Sequence, residues 1–263
     1  KGAENLRAEL KTRLKKLKEK QEKGKKVGKT TFKSIRKEGY QCALIGLPNA
    51  GKTSLLSKLT NAKPIITAHP FATVKPELGT LDYEGVKAQI VDLPSIGSDY
   101  FDVGLVNTAD CLILVIEQLE DLQSLEPVLV KSSGERIIVL NKADLLTELE
   151  KRRLQEKIRS KKLDALIVSS LTGEGIAELK ERIFHKMNVI RIYMKEPGKT
   201  HSPIPLVLPK DAIVKDAAEK ILKGFSARIK ETKVTGPSSK FPNQKVGLTH
   251  VLKDKDIIEF HAS

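Results

Sequence analysis

The 263-residue sequence has few cysteines and no long apolar run. Its two cysteines, Cys42 and Cys111, lie inside apolar segments that are predicted to be buried strands, where a thiol acts as a small hydrophobic group. This excludes a disulfide framework and a cysteine-based zinc site. No run of about 18 apolar residues is present, which excludes a membrane-spanning helix, and the polar N-terminus lacks the core of a signal peptide. We therefore expect a cytoplasmic protein in a reducing compartment.

Acidic residues are scarce near the N-terminus. Residues 1–37 contain fifteen Lys or Arg and only four Glu, so they carry +11 of the net charge of +14. The apolar positions of a basic amphipathic helix recur in this stretch at Leu6, Leu10, Leu14 and Leu17. The glycine-rich and lysine-rich segment 23–34 then predicts a mobile link. We expect a basic helical arm.

A basic arm of this kind favours salt-dependent binding to nucleic-acid phosphates. No series of aromatic residues accompanies the charges, so base-specific RNA recognition is not indicated. A solvated helix face, a contact with a partner protein and binding to a membrane surface are the alternatives.

Short apolar runs alternate with helix-like segments from Gln41 onwards. This alternation predicts a mostly parallel sheet with crossover helices, and the continuous apolar character of the runs indicates strands buried on both faces. The segment GTLDY is expected to pair antiparallel with AQIVD. After Asn188 the pattern changes, and RIYMK, ARIKETKV and KDIIEFH are predicted to be strands around the helical segment KDAAEKILKGF. The sequence thus predicts an arm and linker (1–40), an α/β domain (41–188) and a small α+β domain (189–263).

The segment GLPNAGKT, residues 46–53, matches the pattern GxxxxGK[ST] and lies between a predicted strand and a predicted helix. It predicts a phosphate-binding loop, in which backbone N–H groups and the helix N-terminus surround a nucleotide's phosphates. Lys52 is expected to reach the β- and γ-phosphates, and Thr53 to bind Mg²⁺. The predicted nucleotide contacts are Gly46, Asn49, Ala50, Gly51, Lys52, Thr53 and Ser54.

Three further motifs follow predicted strands, in the order that a P-loop nucleotide-binding protein requires. Asp92 ends the strand AQIVD and is expected to hold Mg²⁺. The segment NKAD, with Asn141, Lys142 and Asp144, predicts guanine recognition, because a carboxylate can accept hydrogen bonds from guanine N1–H and its 2-amino group. Adenine lacks both donors, so a buried Asp144 would be left unpaired by ATP. A last base-contacting segment is predicted at Ser169, Ser170 and Leu171.

These motifs resemble those of the Obg and developmentally regulated GTP-binding (DRG) group of GTPases. Residues 69–83, HPFATVKPELGTLDY, are similar to the switch region of that group, and residues 245–261, KVGLTHVLKDKDIIEFH, are similar to the TGS domain. The resemblance implies a Ras-like P-loop G domain, a ubiquitin-like β-grasp TGS domain and an N-terminal basic arm, in the order found in DRG proteins.

The resemblance also implies roles for individual residues. Thr73 aligns with the switch threonine that binds Mg²⁺ and senses the γ-phosphate. Asn49 aligns with an asparagine that helps to hold K⁺ during catalysis, although a loop residue that stabilises the turn is an equal alternative. With Lys52, these residues form the expected catalytic set. The implied function is a slow, Mg²⁺-dependent GTPase switch associated with ribosomes or ribosomal RNA through the arm and the TGS-like domain, with a possible regulatory protein. A GTP-binding scaffold and an RNA-binding module with little turnover are the alternatives.

The sequence departs from the group's pattern after Asp92. Ser95 stands where the group has a glycine, which reduces the conformational range of the backbone. SDYFDVGL replaces the expected glycine-rich segment, and the interval from Asp92 to Asn141 leaves no room for the additional domain of many DRG proteins. Ile96 lies where Ras has a water-positioning glutamine. His69, a loop histidine, is expected to be solvated rather than to act as a base.

Overall fold

The computed structural model describes residues 35–61 and 75–262, and the described residues from Lys37 onwards belong to one compact unit. Most of the predicted arm and residues 62–74, which include His69 and Thr73, lie outside the described residues. Within the described ranges, no helix is both long enough and apolar enough to cross a membrane.

The first sheet has six strands in the order β2-β3-β1-β4-β5-β6. Its strands are β1 (Gln41–Gly46), β2 (Glu77–Tyr83), β3 (Val86–Asp92), β4 (Cys111–Ile116), β5 (Glu135–Leu140) and β6 (Ala165–Ile167). All neighbouring strands are parallel except β2 and β3, which pair antiparallel. This confirms the predicted parallel sheet and the predicted antiparallel pair.

Helices cover this sheet. They are α1 (Lys52–Leu59), α2 (Val103–Thr108), α3 (Leu122–Leu129), α4 (Glu148–Ser160) and α5 (Ile176–Lys186), with short 3₁₀ turns at Leu119–Asp121 and Ala143–Leu145. Every residue of β1 and β4 is buried, as continuous apolar runs predict. Cys42 and Cys111 are register partners in these two strands, and both are fully buried free thiols. The interior positions of these two strands therefore carry only apolar side chains.

The second sheet has the order β10-β9-β11-β7-β8 and packs against one helix. Its elements are β7 (Val189–Lys195), β8 (Leu206–Pro209), α6 (Val214–Ile221), β9 (Ile229–Thr235), β10 (Gln244–Val246) and β11 (Asp256–Ala262). The sequence predicted β7, α6, β9 and β11 but not the edge strands β8 and β10, whose four and three residues are too short to show a period. Strand β7 begins at Val189, and the domain boundary near this residue stays a prediction.

Arg191 in β7 joins the second sheet to the turn between β2 and β3. Its side chain is 4% exposed and binds Asp254 through Nε (3.0 Å) and Nη2 (2.5 Å). Its Nη1 donates to the Glu84 carboxylate in the turn. The guanidinium also lies 4.4 Å from the centre of the Phe184 ring, near the end of α5. One buried cation therefore contacts three separate parts of the chain, and its hydrogen bonds with Asp254 raise the pKa of the guanidinium further.

We expect Arg191→Ala to lower the free energy of unfolding by about 2–4 kcal/mol, because Asp254 and Glu84 both lose the guanidinium and Phe184 loses its cation contact. Among the described residues, Asp254 keeps only the backbone N–H of residue 191, and Glu84 keeps only Lys255 at 3.6 Å. Lys199→Ala is the control, since Lys199 forms an exposed ion pair with Glu196 and is 69% exposed. We expect no measurable change for the control. Urea unfolding followed by circular dichroism measures both variants, and equal stabilities would contradict the importance of the Arg191 contact.

Candidate functional site

The predicted phosphate-binding loop connects β1 to α1 and is held close to neighbouring segments. A Cβ atom on Gly46 would lie 2.3 Å from the Val115 carbonyl oxygen in β4. A Cβ atom on Gly51 would lie 2.2 Å from Asn141 Nδ2, and Gly51 has a left-handed φ of 87°. The sequence needs glycine at both positions because no side chain fits there. Asn49 also has a positive φ of 63°, a conformation that asparagine tolerates better than most residues.

Lys52 at the start of α1 is buried at the mouth of this loop. Its Nζ donates to the carbonyl oxygens of Gly46 (3.2 Å) and Leu47 (3.0 Å) and to Ser95 Oγ (2.9 Å). The residue is 5% exposed. Burial lowers the pKa of the Lys52 ammonium to about 8, and the nearby Asp92 carboxylate limits that fall.

Asp92 at the end of β3 lies beside Thr53, the residue after Lys52. Thr53 Oγ1 donates to Asp92 Oδ2 at 2.6 Å. The other carboxylate oxygen, Asp92 Oδ1, is buried without a hydrogen-bond partner in the described part of the chain. Burial raises the pKa of Asp92 to about 6, whereas Thr53 and Lys52 act in the opposite direction.

An orphaned buried carboxylate oxygen beside a threonine hydroxyl fits a hard divalent cation. Among residues 35–61 and 75–262, no cluster of three His, Cys, Asp or Glu side chains could hold a metal. A P-loop Mg²⁺ site does not require such a cluster, because the nucleotide's phosphates and water supply most of the ligands.

Asn141, directly after β5, ties the phosphate-binding loop to the segment after β6. Its Nδ2 donates to the Ala50 carbonyl oxygen (2.9 Å) and to Ser170 Oγ (3.1 Å), and its Oδ1 accepts from Ser170 N–H (2.9 Å). The residue is 3% exposed. The structure therefore brings together two motifs that lie 91 residues apart in the sequence.

Asp144 lies in a short 3₁₀ turn and accepts from Ser169 Oγ through Oδ1. The Ser169 hydroxyl itself accepts from the N–H groups of Leu171 (3.3 Å) and Thr172 (3.1 Å). Rejection of ATP by an unpaired carboxylate requires a buried Asp144, whereas Asp144 is exposed in the protein. Burial of this carboxylate would have to come from a bound base.

The structure also shows where three other predicted site residues lie. Lys142 has a φ of 65° and pairs with Glu117 at 2.6 Å. Ser54 lies in the first turn of α1, and Leu171 is 73% exposed. Sequence reasoning missed the contacts made by Glu117 and by the Ser95 side chain. Glu117 and Ser95 both come shortly after an apolar strand, and this position was the feature of the sequence that could have predicted their place in the site.

We expect Gly51→Ala to destabilise the protein more than Gly97→Ala. The two glycines have nearly the same φ, 87° and 88°, so we expect alanine at either position to add a backbone strain of about 1–2 kcal/mol. An added Cβ at Gly97 meets no atom of the described residues within 4 Å, whereas at Gly51 it overlaps the amide of Asn141. We expect a further loss of about 1–3 kcal/mol for Gly51→Ala. Unfolding in urea measures the difference, and equal losses would mean that the loop moves freely away from Asn141.

Comparisons with known proteins match two parts of this chain to two families. Residues 41–142 match the family described as 50S ribosome-binding GTPase, and residues 190–262 match the TGS domain. An uncharacterized GTP-binding protein of Methanocaldococcus jannaschii is 28% identical over 86% of this chain and 79% of its own length. GTPase Obg of Aquifex aeolicus is 34% identical, over 56% of this chain and 50% of Obg. The predicted combination of a GTPase domain with a TGS domain is confirmed, and the Obg relatives agree with the predicted group.

Solved structures of low sequence identity share the fold. A GTP-binding protein from Pyrococcus horikoshii is 12% identical, with a TM-score of 0.58 over 85% of this chain and 100% of its own. Era, solved in complex with MgGDPNP and a segment of 16S ribosomal RNA, is 21% identical, with a TM-score of 0.50 over 80% of this chain and 77% of its own. At these identities the likeness concerns the fold alone.

Proposed function

We propose that this chain, a P-loop GTPase with a TGS domain, is a Mg²⁺-dependent switch that slowly hydrolyses GTP to GDP and phosphate. The observation that carries the proposal is the hydrogen bonding of Asn141 to both the phosphate-binding loop and Ser170. It brings the groups suited to phosphates and those suited to a base into one site.

Recognition of the nucleotide follows from the two halves of this site. Lys52 would pair with the β- and γ-phosphates, and the backbone of the loop would surround them. One oxygen of the Asp144 carboxylate accepts a hydrogen bond from Ser169 Oγ, and the other oxygen would accept from guanine. Because the carboxylate is exposed, the discrimination against adenine depends on how far the bound base excludes water.

Magnesium would be held by Thr53 and Asp92, with Thr73 as the switch ligand. When bound, the ion neutralises charge on the β- and γ-phosphates. Ile96 stands at the position where Ras has a glutamine that orients water, and the lack of a glutamine there supports slow turnover.

Asn49 would help to hold K⁺. Its positive φ also supports the alternative, a residue that stabilises the turn.

The cellular setting is a proposal of the same kind. The family description names the 50S ribosome, and Era was solved with ribosomal RNA. Residues 1–37 carry +11, which supports salt-dependent contact with ribosomal RNA in the cytoplasm, together with the TGS domain and a possible regulatory protein. A GTP-binding scaffold is the second candidate, and Ser95 in place of glycine favours it.

We expect the purified protein to bind GTP with Mg²⁺, inosine triphosphate about tenfold more weakly and ATP at least about 100-fold more weakly, because each loses hydrogen bonds to Asp144. Asp144→Ala should remove most of the preference for GTP over inosine triphosphate. Asp99→Ala, a loop carboxylate elsewhere, is the control. Titration calorimetry measures all affinities. Equal affinity for GTP and ATP would refute guanine recognition.

We expect single-turnover hydrolysis of GTP to be faster in K⁺ than in Na⁺, since a cation at Asn49 would stabilise charge in the transition state. Asn49→Ala should abolish this difference, and Lys52→Ala should abolish turnover. Addition of ribosomes tests the proposed partner. Tight binding of GTP without turnover under any condition would leave the scaffold as the function.

A further inference from the structure

Lys52 has no unused N–H bond in the structure. A lysine ammonium has three donors, and they point to Gly46 O, Leu47 O and Ser95 Oγ at 3.2, 3.0 and 2.9 Å. The shortest of the three contacts is the one to the serine hydroxyl. A phosphate oxygen that binds this ammonium must therefore displace one of its acceptors or share a donor with it.

The three acceptors are not equivalent. Gly46 and Leu47 belong to the phosphate-binding loop, and Lys52 reaches back to them from the following helix, so these contacts help to form the loop itself. Ser95 belongs to a different segment, three residues after Asp92. Its hydroxyl is the acceptor that Lys52 can release without opening the loop.

The segment that carries Ser95 is fixed by backbone contacts. Leu93 N–H donates to Leu44 O (3.3 Å), and Ile96 N–H donates to Gly46 O (3.3 Å), so β1 and the loop hold both sides of the serine. Ser95 is 7% exposed. The hydroxyl is therefore positioned before any ligand arrives, and water has little access to replace it.

We propose that Ser95 is a positioning residue that competes with the phosphates of the nucleotide for the Lys52 ammonium and thereby weakens nucleotide binding. This inference rests on the proposed function. A charge-assisted bond from Lys52 to Ser95 is lost or shared when a phosphate binds, and its free energy is subtracted from the affinity. The replacement of glycine by Ser95 then has two effects: the backbone loses conformational freedom, and the hydroxyl weakens nucleotide binding.

The test compares Ser95→Ala with wild type in calorimetric titrations with GDP and with the non-hydrolysable GMPPNP. Removal of the hydroxyl should tighten binding by roughly two- to tenfold. Ser98→Ala is the matched control on the same loop, because Ser98 Oγ accepts from Tyr100 N–H and makes no bond to Lys52; its affinity should equal that of wild type. Unchanged or weaker binding by Ser95→Ala would overturn the proposal.

Two further variants separate competition from a general structural effect. Ser95→Gly removes the same hydroxyl and must also bind more tightly; a gain confined to the glycine variant would assign the effect to the backbone and overturn the proposal. In a Lys52→Ala background, Ser95→Ala should no longer tighten binding, and a persistent gain would also overturn it. If wild type binds no guanine nucleotide, the proposed function itself fails. If wild type binds and the serine variants do not differ from it, only this inference fails.

Discussion

The register of the buried parallel strands is the constraint on which the site depends. Leu44 in β1 pairs with Asp92, and Gly46 pairs with Val115, while Leu140 pairs with Ile167. With these pairings, the strands end at one edge of the sheet. Because both faces of the sheet are packed with apolar side chains, the polar groups that follow the strands meet only at this edge.

Burial at that edge explains the electrostatics of the site. Lys52 and Asp92 are charged groups with little exposure, so each needs neighbours that replace water. Lys52 has three acceptors. Asp92 has one oxygen paired with Thr53, and its other oxygen has no partner among the residues that the structure describes. The Lys52 ammonium is thus fully hydrogen-bonded within the protein, whereas Asp92 has one oxygen that can still bind a cation. Binding of a nucleotide with its metal would redistribute both sets of contacts.

The antiparallel pair β2 and β3 connects the candidate site to the TGS domain. β3 begins after the turn that holds Glu84 and ends at Asp92. Glu84 binds Arg191 of the second sheet, which is fixed in turn by Asp254. A single antiparallel pair, β2 and β3, therefore has its turn in contact with the TGS domain and its opposite end in the candidate nucleotide site.

The sequence by itself determined the parallel sheet, the phosphate-binding loop and the order of the site motifs, because apolar runs and glycine spacing are local features. It also indicated that position 51 requires glycine. It did not indicate that a side chain at this position would overlap the Asn141 side chain. Only the tertiary structure decided that Ser95 binds Lys52, that Asp144 is exposed, and that Arg191 joins the two sheets. These are contacts between segments distant in the chain, and their partners are chosen by strand register and packing, which no local pattern records.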